Sequence, residues 1–128
     1  MLKINCDMGE SFGIYNMGDD ENIMPHITHA NIACGMHASD PNHMQTTVEL
    51  AKKYDVNIGA HFSLPDLQGF GRREMVMSRE ELRNTILYQV GALNAFVKSE
   101  NMKNKAHSFE DVFLEGRRHQ FSVNLESI

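Results

Sequence analysis

The 128-residue chain lacks several features that would assign it to a protein class at once. No apolar run approaches the roughly 18 residues that a membrane-spanning helix needs, and the start, MLKINCDMGE, has no apolar segment behind a basic one. Two cysteines, Cys6 and Cys34, are too few for a disulfide framework. These absences predict a cytoplasmic protein without a membrane partner, in which both cysteines stay thiols and pack as small core residues.

Positive charge is scarce as well. Lys and Arg number 12 against 17 Asp and Glu, the net charge is -5, and no basic stripe is present. Because neutralised phosphates supply much of the affinity for nucleic acid, a nucleic-acid partner is not expected. The glycine-rich lysine loop of P-loop proteins is absent, and DMGESFG lacks the dinucleotide-binding fingerprint. A nucleotide would therefore have to bind to a site that uses neither of these two motifs.

What the chain does contain is typical of one globular domain, with 41% hydrophobic and 23% charged residues. Three short apolar segments, LKIN, HANIAC and VNIGAH, each run into a polar loop and are predicted to be strands. Helical patterns follow the second and the third segment. Strands that alternate with amphipathic helices indicate an α/β fold with parallel pairing.

Both predicted helices have clear start signals. Asp40 is suited to cap the first one, with Pro41 at the first helical position. Ser78 and Glu81 have the spacing of a capping box for the second, which is predicted to end near Glu100. Apolar residues then recur at helical spacing. In the first helix they are Met44, Val48, Ala51 and either Leu50 or Tyr54; in the second they are Leu82, Ile86, Val90, Leu93 and Val97.

Acidic and histidine side chains follow each predicted strand. In chain order the pairs are Asp7 and Glu10, His37 and Asp40, and His61 and Asp66. Because the carboxyl ends of parallel strands share one edge of a sheet, these groups are expected to converge on one pocket. They are suited to general acid–base chemistry or to metal binding. Asp7 with His37 and His61 fits a site of two histidines and one carboxylate in ligand type.

Ordinary structural roles remain open for the same side chains. His37 and His61 could be hydrogen-bonded loop histidines, Asp40 could serve only as a helix cap, and Asp7 could accept hydrogen bonds from nearby backbone amides. Three further histidines lie outside the pattern and are predicted to be surface or packing residues: His26, His29 and His43.

The segment GFGRR, residues 69–73, is a candidate anion site. Its two glycines let the backbone approach a ligand, and the guanidinium groups of Arg72 and Arg73 suit a carboxylate or phosphate. The alternative is a glycine turn with solvated arginines near Glu74.

The chain resembles the LamB/YcsF family of A subunits of bacterial ATP-dependent 5-oxoprolinase over residues 1–102. The resemblance rests on ordered blocks: NCDMGESFG, GDD, MPHITHANIACGMHASDP, TVELAKKYDVNIGAH, PDLQGFGRREM and YQVGAL. It implies part of a seven-stranded, sugar-deacetylase-like β/α barrel with parallel strands. It also implies that, with subunits B and C, the protein opens 5-oxo-L-proline to L-glutamate with hydrolysis of ATP, which carries Mg²⁺ as its counter-ion. Phosphorylation of the oxygen of an unreactive amide would make that oxygen a good leaving group.

The resemblance also implies roles for individual residues. It places Asp7, Glu10, His37 and His61 at the barrel mouth as catalytic candidates. Four further residues are candidates for binding substrate or phosphate, namely Asn31, Asp40, Arg72 and Arg73. No protein-bound metal is assigned by it.

The chain departs from the family pattern in two ways. Where the family usually has GAHPGYPD, this chain has GAHFSLPD, and Met36 and Ser39 replace the commoner phenylalanine and glycine. Residues 103–128 contain no counterpart of the family's HVKPHGALYN block, for which His107 is no replacement. We therefore expect a truncated copy, with the first part of a barrel in residues 1–102 and a divergent tail in residues 103–128.

Two alternative functions follow from these departures and from the residue types. A half barrel has an unpaired strand edge, which favours an inactive fragment that associates with itself or with partner subunits. The acid and two histidines favour a metal-dependent, deacetylase-like hydrolase. Detection of a bound metal would distinguish the deacetylase-like hydrolase from a 5-oxoprolinase subunit. An activity assay with subunits B and C would distinguish an active subunit from an inactive fragment.

Overall fold

Three strands of the computed structural model, which describes residues 2–102, form a parallel sheet in the order β1-β2-β3. Strand β1 is Asn5–Met8, β2 is His29–Ala33 and β3 is Asn57–His61. The central strand, β2, pairs with both neighbours. The α/β class and the parallel pairing are thereby confirmed for this part of the chain, as are the second and third predicted strands.

The first strand was predicted too early in the chain. LKIN was expected to end it before Cys6, but the paired segment starts at Asn5, opposite His29, and includes Asp7. Ile4 lies outside the ladder because its carbonyl oxygen accepts hydrogen bonds from the amide and hydroxyl of Thr28. Asp7 is consequently a strand residue with a side-chain direction fixed by the sheet.

The two faces of the sheet differ in character because successive side chains of a strand point to opposite faces. One face carries apolar side chains that are almost fully buried: Met8, Ala30, Ile32, Ile58 and Ala60. The positions between them place Asp7, Asn31 and Gly59 in register across the other face, with His61 at the end of β3. The strands therefore separate an apolar core from a polar face.

The apolar face is covered by two long helices. Helix α1 is the short segment Asp20–Ile23, followed by a 3₁₀ turn at Met24–His26; neither was predicted. Helix α2 is Pro41–Lys53 and α3 is Arg79–Ser99. Helix α2 packs against β2 and β3, and α3 packs against β3 and α2. This arrangement leaves the polar face of the sheet on the side away from both helices.

Both predicted helix starts are confirmed. The Asp40 side chain accepts a hydrogen bond from the His43 amide at 2.9 Å, and Pro41 occupies the first turn. At α3, Ser78 accepts from the Glu81 amide while the Glu81 carboxylate accepts from the Ser78 amide. These caps satisfy amide groups that have no partner within the helix.

The core contains the apolar residues that the helical spacing predicted, and the structure decides between Leu50 and Tyr54. Met44, Val48 and Ala51 are buried, but Tyr54 lies at the C-cap and is 38% exposed, so Leu50 takes the remaining inward position. In α3 the buried apolar residues are Ile86, Leu93 and Val97, and Leu82 and Val90 pack at the margin. No helix within residues 2–102 is long and apolar enough to cross a membrane. The predicted tail, residues 103–128, lies outside the described residues.

The two cysteines are free thiols in different surroundings. Cys34 is buried, and burial raises the pKa of its thiol to about 12. Cys6 is only partly buried, against the expectation that both lie in the core, because β1 is an edge strand. Its pKa is also raised, first by burial and then by Asp7.

We expect a thiol reagent at pH 8 to label Cys6 slowly in the native chain and Cys34 only after unfolding, since the thiolate is the reactive form. Mass spectrometry of the labelled chain with and without denaturant measures this directly. Equal labelling of both thiols under native conditions would contradict the burial of Cys34.

Candidate acid–histidine pocket

The polar face of the sheet begins with a side-chain pair on adjacent strands. Asp7 lies opposite Asn31, and the Asn31 amide donates a hydrogen bond to Asp7 Oδ1 at 3.1 Å. The next position across the sheet is Gly59, where a Cβ atom would lie 3.2 Å from Asn31 Oδ1. Glycine at this position leaves room for the amide, so that Asn31 can hold the Asp7 carboxylate in place.

His61 stands between two carboxylates. Its Nδ1 atom lies 3.8 Å from Asp7 Oδ1 and 3.8 Å from Glu10 Oε1. The Glu10 and His61 side chains are about four-fifths buried, while Asp7 is half exposed. These three groups are therefore close enough to contact one small ligand.

His37 enters the same pocket from the loop between β2 and α2. Its ring centroid is 4.4 Å from that of His61 and 5.1 Å from that of Phe70, in edge-on contacts. The side chain is 2% exposed, and neither ring nitrogen has a hydrogen-bond partner within residues 2–102. Burial, followed by the neighbouring His61, lowers the pKa of His37 to about 4, so the ring is neutral at pH 7.

Glu10 has the opposite perturbation. Burial raises the pKa of its carboxyl, and the negative charges of Asp7 and Asp20 raise it further. Asp20, at the start of α1, is fixed by a hydrogen bond from the Gly9 amide at 2.9 Å. A carboxyl whose pKa is raised, beside the neutral imidazole of His37, is suited to exchange protons with a bound molecule.

The four catalytic candidates, Asp7, Glu10, His37 and His61, are thus brought together by the structure. Among the substrate-binding candidates, Asn31 contacts Asp7, whereas Asp40 bonds to other groups. Asp40 accepts from the Gly13 amide and from His43, both at 2.7 Å. Although burial raises the pKa of Asp40, these bonds lower it to about 2. Its role as a substrate ligand stays a prediction.

The two arginines of GFGRR have different partners. Arg73 binds Asp66 through Nε at 2.8 Å and through Nη2, an ion pair that neither the anion site nor the alternative of solvated arginines near Glu74 predicted. Arg72 lies over the ring of Phe70 and acts electrostatically on both Glu10 and His37. Arg72 is therefore the arginine placed to meet an anion in the pocket, and Asp66 belongs to the support of the loop.

A glycine and a glutamine support the pocket. The glycines of GFGRR were predicted to let the backbone approach a ligand, and Gln89 was missed. Gly71 adopts φ +70°, and a Cβ atom there would lie 3.0 Å from His37 Cβ, so glycine lets the loop pack on the histidine. Gln89 of α3 is fully buried, accepts from the Ser63 amide at 2.9 Å and donates to the Ser63 carbonyl at 2.8 Å. A polar residue on the apolar face of α3 was the available signal.

The altered segment FSL after His61 is accommodated by these contacts. Phe62 is buried in the core, and Ser63 is held by Gln89 through its backbone. The segment therefore keeps His61 attached to the scaffold despite its departure from the family pattern.

We expect the urea midpoint of the chain to fall as the pH drops from about 4 to 2. The Arg73 hydrogen bond lowers the pKa of Asp66 to about 2 in the folded chain, whereas an unfolded aspartate has a pKa of about 3.9. A depressed pKa contributes stability above the unfolded value, and this stability is lost as pH falls through the folded value. Arg73→Met should make the urea midpoint less dependent on pH over this range, whereas Arg79→Met, at an exposed position, should not. The same pH dependence in both variants would contradict the role of the Arg73–Asp66 pair.

The comparisons with known proteins cover the segments that form this pocket. The LamB/YcsF family profile matches residues 2–109, which include every catalytic candidate and extend past the boundary expected at residue 102. The chain belongs to the LamB/YcsF family. The match covers most of the 128 residues, and its end lies within the part of the chain that the structure does not describe.

Curated relatives of this LamB/YcsF chain have a common name. The 5-oxoprolinase A subunit of Vibrio parahaemolyticus is 59% identical over 99 residues, which are 77% of this chain and 39% of that protein. The same name is carried by a Pyrococcus horikoshii relative that is 59% identical over 102 residues, 80% of this chain and 40% of that protein. The chain spans about two-fifths of the length of these relatives.

A solved structure confirms the fold of this LamB/YcsF chain. The lactam utilization protein from Thermus thermophilus superposes with a TM-score of 0.77 at 47% identity, covering 80% of this chain and 41% of that one. The three-stranded sheet and its helices are therefore similar to the corresponding part of a larger protein.

Proposed function

We propose that this chain supplies the acid–histidine pocket of an A subunit of ATP-dependent 5-oxoprolinase, acting with subunits B and C in the cytoplasm. The observation that carries the proposal is the convergence of Asp7, Glu10, His37 and His61 from three separate strand ends. The names of the relatives support it, since they refer to 5-oxoprolinase and to lactam utilization. We further propose that the three strands are part of a seven-stranded β/α barrel.

The chemistry of a lactam explains why such a pocket is useful. An unstrained amide resists water, and its ring nitrogen needs a proton before it can leave the carbonyl carbon. Glu10, whose pKa is raised by burial and by Asp7, would remove a proton from an attacking water. His61, between Asp7 and Glu10, would pass a proton to the ring nitrogen.

An anionic substrate fits the cationic side of the pocket. The carboxylate of 5-oxoproline, or a phosphate, would bind Arg72, which acts on both Glu10 and His37. ATP with Mg²⁺ would supply the phosphoryl group that activates the lactam oxygen, leaving ADP. Once water has added and the C–N bond has broken, hydrolysis of the resulting acyl phosphate would release phosphate and glutamate. Asn31 would keep the Asp7 carboxylate directed at His61 while substrate binds.

Reconstitution tests this function. The full chain is mixed with purified subunits B and C, ATP and Mg²⁺, and glutamate formation from 5-oxoproline is measured against B and C alone. Activity that needs both the chain and ATP supports the proposal. Co-purification with B or C without any activity would instead favour a fragment that only associates, and turnover without ATP would favour a metal-dependent hydrolase.

A further inference from the structure

We propose that Glu10, His37 and His61 form a binding site for a divalent transition-metal ion of the Zn²⁺ type. Each residue offers one ligand atom, and these atoms all lie within 4.8 Å of one another. They come from three places in the chain, the loops after β1 and β2 and the last residue of β3. The site thus depends on the sheet and is not a local sequence motif.

The distances are close to those of a bound ion. Nitrogen and oxygen ligands of tetrahedral Zn²⁺ at about 2.0–2.2 Å from the metal are about 3.4 Å apart. Contraction from within 4.8 Å needs shifts on the order of 1 Å, which rotations of the Glu10 and histidine side chains provide. No rearrangement of the strands is required.

The state of His37 is an independent indication of a ligand. Buried polar atoms are nearly always hydrogen-bonded, yet both ring nitrogens of this side chain lack a hydrogen-bond partner among the residues that the structure describes. Only 2% of the residue is exposed, and its ring lies against His61 and Phe70. A metal ion would give one ring nitrogen of His37 a ligand bond that the neighbouring side chains do not provide.

The donor set selects the class of ion. Two imidazoles and one carboxylate suit Zn²⁺ and similar transition metals, whereas Mg²⁺ and Ca²⁺ prefer oxygen ligands throughout. Three protein ligands leave a coordination position for water or substrate. Asp7, anchored by Asn31, adds a second carboxylate 3.8 Å from His61 Nδ1, and its negative charge favours a cation in the pocket.

The site shares its residues with the proposed function but does not rest on the proposed reaction, because metal binding is measured without substrate. The metal site can therefore fail its test while the proposed function passes, and the reverse. A chain that binds Zn²⁺ but gives no glutamate with subunits B and C would overturn only the function. A chain that gives ATP-dependent glutamate but binds no metal would overturn only the metal site.

Zinc titration of the full chain tests the inference. The chain is treated with a chelator, dialysed, and titrated with ZnCl₂ in an isothermal calorimeter, with the zinc content checked by elemental analysis. We expect one equivalent to bind, and Glu10→Gln and His37→Ala to weaken binding at least 10-fold, roughly the scale of losing even an outer partner. Co²⁺ should give a visible absorption band that both variants lose.

Matched variants exclude binding elsewhere. His26→Ala removes an exposed histidine of the 3₁₀ turn, Cys6→Ser removes a partly exposed thiol, and a double His107→Ala, His119→Ala variant removes both histidines of residues 103–128. All three should bind zinc like the original chain. The inference is overturned if no zinc binds, or if these controls lose the ion while Glu10→Gln, with an unchanged circular dichroism spectrum, retains it.

Discussion

Replacing Glu10 by glutamine is expected to lower ATP-dependent glutamate formation by the reconstituted enzyme at least 100-fold, the usual scale for loss of a general acid or base. The substitution keeps the size of the side chain and removes its ability to exchange a proton. Glu10 lies 3.8 Å from His61 Nδ1, and the pKa of its carboxyl is raised by burial and by Asp7 and Asp20. Initial rates at saturating 5-oxoproline and ATP measure the effect.

The control for this variant is Glu21→Gln. Glu21 is exposed in α1, and the same change of charge there should leave the rate within about 2-fold. If Glu10→Gln retained more than a third of the activity, proton transfer by Glu10 would be excluded and the role would pass to Asp7 or His61.

Replacing Gln89 by methionine is expected to cost about 2–4 kcal/mol of stability, because two partly buried backbone groups of Ser63 would lose their partners at about 1–2 kcal/mol each. Methionine has nearly the same length and no amide. The Gln89 side chain is fully buried and bonds both the amide and the carbonyl of Ser63, two residues after His61. Urea unfolding followed by circular dichroism gives the difference in free energy.

The matched control is Gln68→Met, the same substitution at an exposed position, which should stay within about 0.5 kcal/mol. A loss below 1 kcal/mol in Gln89→Met would show that the loop after β3 does not depend on this clamp. A loss of the expected size would also disturb the position of His61 in the pocket, since the segment held by Gln89 directly follows His61.

The pocket combines side chains from strands with side chains from loops, as many sites on parallel sheets do. Strand residues with fixed directions, Asp7 and His61, stand beside groups delivered by loops, Glu10 and His37. Burial shifts the pKa values of both loop-borne groups: that of His37 falls to about 4 and that of Glu10 rises. A neutral imidazole and a carboxyl that holds its proton more tightly can then act at the same pH.

Local signals in the sequence predicted much of the fold. Strands β2 and β3, the Asp40 and Ser78 helix starts and the inward faces of α2 and α3 follow from short-range rules of alternation, capping and helical spacing. The start of β1 was missed because strand pairing, not apolar content, sets the ends of a strand. The short α1 was missed because a four-residue helix has too little periodicity to detect.

The sequence by itself determined that this chain is an α/β member of the LamB/YcsF family with acids and histidines after each strand, since capping, periodicity and motif order are properties of neighbouring residues. Only the tertiary structure decided which of those groups meet. Parallel register placed Asp7 beside Asn31, and the strand ends and loops brought Glu10, His37 and His61 within 4.8 Å of one another, while Arg73 bonds to Asp66. These distances join segments tens of residues apart, and their values depend on the packing of the whole sheet.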